Sequence, residues 1–134
     1  MSARAKARKR ALDFLYESKM RSEPALSIFE RRGAGNLSEA AFVKELLTGI
    51  SQNQVKISEL INTYAQDWEQ DRMPPIDVAI LEIAIYELLF TKETDGAVAI
   101  SQALELAKSL STEGSVAYIN GVLGRIFKLR DSLI

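Results

Sequence analysis

Apolar residues recur at helical spacing through most of the chain, and no strand-like alternation persists anywhere. The pattern predicts a first helix over about residues 3–21. Ala11, Leu12, Leu15, Tyr16 and Met20 form its apolar stripe, while Lys6, Lys9, Arg10, Asp13 and Glu17 lie largely off it. Arg4 and Arg8 continue the stripe backward past its last large apolar residue, which predicts a charged finger projecting beyond the core. A short helix follows at about 23–32, with Ser22 as its cap and Pro24 in the first turn, where a missing N–H costs little. Arg31-Arg32-Gly33-Ala34-Gly35-Asn36 reads as a loop. A long helix is predicted over about 38–65, capped by Ser38, with Phe42, Leu46, Ile50, Ile57, Leu60, Ile61 and Tyr64 facing the core. Gly49 inside it costs about 1 kcal/mol against alanine, and close approach of a neighbouring helix is the usual compensation.

Residues 66–75 are polar and end in two prolines, a break between helices. From Ile76 to Phe90 the chain is then apolar nearly all round. Only Asp77, Glu82 and Glu87 interrupt it, and their five-residue spacing points them in three different directions. Such a helix belongs at the centre, touched on most sides. An amphipathic helix over about 97–110, the turn Ser111-Thr112-Glu113-Gly114 and a last helix over about 115–130 complete an all-α reading of six to seven helices. A length of 134 residues suits one domain spanning the chain, with a core large enough to need no staples.

Composition narrows the chemistry. There is no cysteine and no histidine, which excludes disulfides, thiolate metal sites, cysteine nucleophiles and the commonest general base. No cofactor is expected. No uncharged apolar run reaches the roughly 18 residues of a membrane span. Asp13 and Glu17 interrupt any apolar stretch after the basic start, so it reads as mature protein, and a cytoplasmic location is expected. The net charge of −1 conceals a segregation: +5 over residues 1–36, −8 over 37–123 and +2 over the last eleven. A basic end on an acidic body suggests two kinds of contact surface.

Few arrangements of reactive groups survive. Asp67, Glu69 and Asp71 alternate in a polar connector and read as a solvated loop rather than an acid/base pair. Neither Gly33-Ala34-Gly35 nor Asn120-Gly121-Val122-Leu123-Gly124 has the context of a phosphate-binding loop. Binding remains. Arg4, Lys6, Arg8, Lys9 and Arg10 place five cations within seven residues, a run able to neutralise nucleic-acid phosphates. Tyr16 and Tyr118 are candidates for stacking on unpaired bases. The stripe favours a core position for Tyr16 and leaves Tyr118 undecided.

These residues resemble a family pattern. Arg4-Ala5-Lys6-Ala7-Arg8 with Ala11-Leu12 and Leu15-Tyr16 resembles the first helix of NusB proteins. So do Trp68 with Asp71-Arg72, then Ile76-Asp77-Val78-Ala79-Ile80-Leu81 and Tyr86-Glu87-Leu88. The most specific match is Ala103-Leu104-Glu105-Leu106-Ala107-Lys108 leading to Tyr118-Ile119-Asn120-Gly121-Val122-Leu123, and the Leu110-Ser111-Thr112 turn is similar to actinobacterial members. The resemblance implies two small helical bundles packed across each other. It implies binding of boxA RNA in ribosomal RNA leaders, pairing with the ribosomal protein NusE, and modification of the elongating RNA polymerase in an antitermination complex. Carried over, the RNA surface comprises Arg4, Lys6 and Arg8, with Tyr118 stacking. Asp77 matches an acidic position near the NusE contact, and Gly121 is read as permitting close helix packing. Glu82, Ser101-Gln102, Gly114 and Ala117 depart from the pattern, and the lost cations bear on RNA affinity. The alternative is a protein-interaction module with weak or lost RNA binding, or a homodimer that covers the RNA surface. A related helical domain precedes the catalytic domain of some ribosomal RNA cytosine methyltransferases. A chain of this length without cysteine has neither the cofactor sheet nor the nucleophile for that reaction, so no enzymatic activity is expected.

Overall fold

Helix follows helix wherever the periodicity predicts one. The computed structural model describes residues 2–35, 38–65 and 73–134. These form α1 (Ala3–Arg21), α2 (Ala25–Arg32), α3 (Ala40–Gln52), α4 (Gln54–Tyr64), α5 (Pro75–Leu89), α6 (Gly96–Leu110) and α7 (Glu113–Leu133). No strand occurs among the described residues. Asn36, Trp68, Asp71, Arg72 and the acidic group of Asp67, Glu69 and Asp71 lie outside them, so of the expected break only its end at Met73 and Pro74 is described.

Several helix ends differ from the expectation. Ser22 does not cap α2. It closes α1 in a left-handed conformation (φ 55°), its N–H donating to the Ser18 carbonyl, and α2 starts after Pro24 without a side-chain cap. Ser38 lies outside α3, which starts after Glu39. The long helix expected over 38–65 is two helices. At Asn53 the side-chain Nδ2 donates to the Gly49 carbonyl at 2.7 Å, and the backbone N–H donates to the same oxygen at 3.1 Å. A short amide competing for a helix carbonyl is what makes asparagine a poor helix-interior residue. The backbone turns there, and α4 starts afresh at Gln54.

Packing follows the apolar faces. α1, α2 and α3 lean on one another, α5, α6 and α7 form a second group, and α4 bridges α3 to α5 and α7. α5 belongs to both groups because it also packs on α1 and α3. Apart from Pro75 and the half-buried Ile76, every residue of α5 is buried, as its all-round hydrophobicity requires.

Two glycines make these contacts possible. A Cβ at Gly49 would stand 2.0 Å from the Tyr86 ring of α5, and one at Gly96 would stand 2.1 Å from the Phe127 ring of α7. Gly121 is the opposite case and corrects the expectation: it is exposed, and a Cβ there would meet nothing within 4 Å. Gly49→Ala should therefore cost about 1–3 kcal/mol through overpacking. Gly121→Ala should gain up to about 1 kcal/mol from helix propensity. Urea unfolding of the two variants checks both, and equal effects would refute the assignment.

Candidate nucleic-acid interface

The site is best built from α5, because its three acids fix the helices that carry the expected binding residues. A buried carboxylate must be paired or hydrogen-bonded. Asp77, fully buried, accepts from Ser111 Oγ at 2.7 Å and from Ser115 Oγ at 2.6 Å. Thr112 caps α7 by accepting from the Ser115 N–H at 3.1 Å. Glu82 accepts from Lys19 Nζ of α1 at 2.6 Å and from Gln54 Nε2 of α4 at 3.0 Å. Glu87 accepts both donors of the Arg8 fork, Nε at 2.7 Å and Nη2 at 2.9 Å, and also Thr94 Oγ1 at 2.7 Å.

That last pair corrects the expectation of a projecting charged finger. Arg8 is only 4% exposed and its Nε–Nη2 edge is engaged by Glu87, so it is not available to a phosphate in this conformation. Ala7 and Ala11 beside it are fully buried. The physical reason is the flat guanidinium, whose face packs on an aromatic ring while its edge meets a carboxylate. Phe42 of α3 receives Arg8 at 5.3 Å from the ring centroid and Arg4 at 4.3 Å. The sequence held a signal for this: an acid in an all-apolar helix demands donors from another element, and a cation is one way to supply them.

The remaining cations divide by surroundings. Lys6 is exposed and makes no ion pair with a described residue. Arg10 lies over the Phe14 ring at 4.6 Å from its centroid and likewise has no acidic partner among the described residues. Lys9 bonds Asp13 one turn on at 2.7 Å. Arg4 is half-exposed between Glu39 at 3.9 Å and Glu93 at 4.0 Å, loose contacts for a salt bridge. Elsewhere the basic end is neutralised internally. Arg32 forks onto Glu17 at 2.6 and 2.8 Å, and Arg31 forks onto Glu23. The arginine partner in each case holds the carboxyl below its ordinary value.

Tyr16 turns outward, 41% exposed, against the core position that the stripe favoured, and Met20 is exposed one turn on. Tyr118 is half-buried and its ring packs against the core. It stands on α7, which packs on α4, α5 and α6. Asp77 is too deep to touch a partner directly. It ties the first turn of α5 to the first turn of α7, three residues before Tyr118. Glu82, noted as a departure that removes a surface cation, is buried and paired, so it leaves the outer charge of this region to other residues.

A sequence model of the NusB family matches residues 5–128. The chain belongs to the NusB family. It is 44% identical over its full length to the transcription antitermination protein NusB of Paenarthrobacter aurescens (strain TC1), covering 99% of that protein. It is 46% identical over 94% of its length to the protein of the same name from Clavibacter sepedonicus, covering 96% of it. Among solved structures, T. maritima NusB superposes with a TM-score of 0.86 at 30% identity, over 96% of this chain and 92% of that one. The antitermination factors NusB and NusE in complex with double-stranded RNA share the fold, with a TM-score of 0.81 at 23% identity over 96% of this chain and 98% of that one. This NusB-family chain is thus an all-helical member of a family of transcription antitermination factors. None of its described helices is long and apolar enough to cross a membrane.

Two outcomes follow from the charge arrangement. Arg8→Ala leaves Glu87 buried without its cation and should cost about 3–5 kcal/mol, read as a lowered unfolding midpoint. Glu45 of α3 is held above its ordinary 4.5, first by burial and then by the nearby Glu93 carboxylate. A raised folded value means that ionising Glu45 penalises the folded state. Glu45→Gln should therefore stabilise the protein at neutral pH. That advantage should shrink as pH falls through the raised Glu45 value and vanish below the ordinary one. Paired unfolding curves from pH 4 to pH 7, each pH about one unit apart, would show it, and a constant difference would contradict it.

Proposed function

We propose that this chain binds boxA RNA of ribosomal RNA transcripts and pairs with NusE, so that the elongating RNA polymerase carries a tethered complex past terminators. The chain would lower no chemical barrier; it would hold two partners together. The observation that carries the reading is the division of α1 into two faces. Arg8 points inward and locks the helix onto α5, while Lys6, Arg10, Lys9 and the loosely held Arg4 remain toward solvent or its edge. Cations on a helix already fixed in place meet phosphates with little ordering cost. Tyr16 on the same helix offers a ring for stacking, and Tyr118 on α7 a second one, as unpaired bases require. The NusB and NusE complex with double-stranded RNA supports the choice of partners through the shared fold. Asp77 serves this function as a positioning residue, holding the start of α7.

Fluorescence anisotropy of a labelled boxA RNA and a scrambled control, at several salt concentrations and with or without NusE, tests the reading. Preferential boxA binding that NusE tightens is the expected result. Lys6→Ala and Arg10→Ala should each flatten the plot of log affinity against log salt by about 0.7, the increment for one phosphate on a single strand. Slopes unchanged in both variants would remove α1 from the RNA path. Binding of NusE without preference for boxA would instead leave a protein-interaction module.

A further inference from the structure

We propose that Glu39 and Glu93 occupy Arg4 as internal competitors for phosphate, so that RNA draws Arg4 away from them and the carboxylates left behind take up a proton; this rests on the RNA reading above. Arg4 lies in the first turn of α1, and that turn contains no acidic residue. The positive end of a helix dipole and a guanidinium placed there both call for negative charge. Two other elements supply it. Glu39 stands at the start of α3 and Glu93 between α5 and α6, and both face Arg4.

What holds Arg4 differs in kind from what holds Arg8, Arg31 and Arg32. Each of those three donates two hydrogen bonds to one carboxylate. Arg4 stands 3.9 Å from Glu39 and 4.0 Å from Glu93, too far for a hydrogen bond to either. Its side chain donates to no described residue, and its guanidinium rests 4.3 Å over the centre of the Phe42 ring. Arg4, Glu39 and Glu93 all reach solvent. Charge thus restrains Arg4 while its N–H donors stay unused. A phosphate offers the same charge and accepts hydrogen bonds as well, so exchange favours the phosphate once RNA is close.

Release leaves an acidic cluster without its cation. Glu45 of α3 lies within hydrogen-bond reach of Glu93. Burial first, and then Glu93, hold the Glu45 carboxyl above its ordinary value, and Arg4 works against them. The groups that face it are Glu93 after α5, Arg4 of α1, and Glu87 and Tyr86 of α5. Glu87 is committed to Arg8, and the exposed Lys44 beside Glu45 pairs with no described acid. When Arg4 turns to a phosphate, its opposing charge is lost and the Glu45 value rises further. The bound chain then carries more protons than the free one. Affinity must therefore rise as pH falls, and level off once Glu45 is protonated in the free chain too. No histidine adds to this dependence, because the chain has none.

Anisotropy with labelled boxA RNA tests the competition. The wild type, Glu93→Gln, Arg4→Ala and the double variant are compared at neutral pH, and the wild type and Glu45→Gln are followed between about pH 8 and pH 5. Glu93→Gln should tighten binding about two- to fivefold, the range open to an exposed ion pair, and only while Arg4 is present. The wild type should bind more tightly at the acid end, and Glu45→Gln should bind alike at both ends. A Glu93 that acts only by repelling RNA would give the same gain with and without Arg4. That result, or wild-type binding indifferent to pH, overturns the competition and leaves the RNA reading in place. A wild type that binds no boxA RNA overturns both.

Discussion

Burying charge inside an apolar helix imposes the constraint on which the rest of this structure depends. α5 is surrounded on all sides, yet it carries three carboxylates that no solvent reaches. Each must find donors on another element, and the spacing of five residues sends each to a different set of partners. Asp77 fixes the start of α7, Glu82 draws in α1 and α4, and Glu87 fixes the other end of α1 together with the segment before α6. Apolar packing supplies most of the favourable free energy of folding but is non-directional. The carboxylates supply the directions, and a slipped or rotated arrangement would strand at least one of them.

The same constraint shapes the surface. A run of five cations looks like one electrostatic feature, but helix geometry and the needs of Glu87 divide it. Arg8 is withdrawn into the interior, Arg4 shares Phe42 with it at the boundary, and Lys6 and Arg10 remain outside. What the helix offers a partner is thus a smaller charge than its composition suggests, but one held on a rigid support. The pairing of Arg31 and Arg32 with Glu23 and Glu17 further lowers the field of the basic end.

Much of this was legible in the residues. Five of the seven helices follow one by one from periodicity, α3 and α4 only as a single long helix, and the central place of α5 from its lack of a polar face. Asn53 escaped because hydrophobic spacing continues in phase through it, while the break depends on one side chain competing for the Gly49 carbonyl. Arg8 and Tyr16 exchanged roles because a long cationic side chain and a phenol are both amphipathic. Periodicity assigns such residues to a face but does not say which one is covered, and that is decided by Glu87 and Phe42, remote in sequence. Gly49 was read correctly and Gly121 was not, since a glycine alone does not tell whether a neighbour stands over it.

The inward and outward alternation along α1 has an evolutionary consequence. Arg8 and Glu87 are locked together, so neither can change without the other, and that pair should drift only in concert. Lys6, Lys9 and Arg10 carry no comparable obligation to the interior. Their identities can vary one at a time while the scaffold stays intact. A single helix therefore carries both a slowly evolving anchor and a freely adjustable contact face, and lineages can retune what the protein recognises without having to reinvent how it folds.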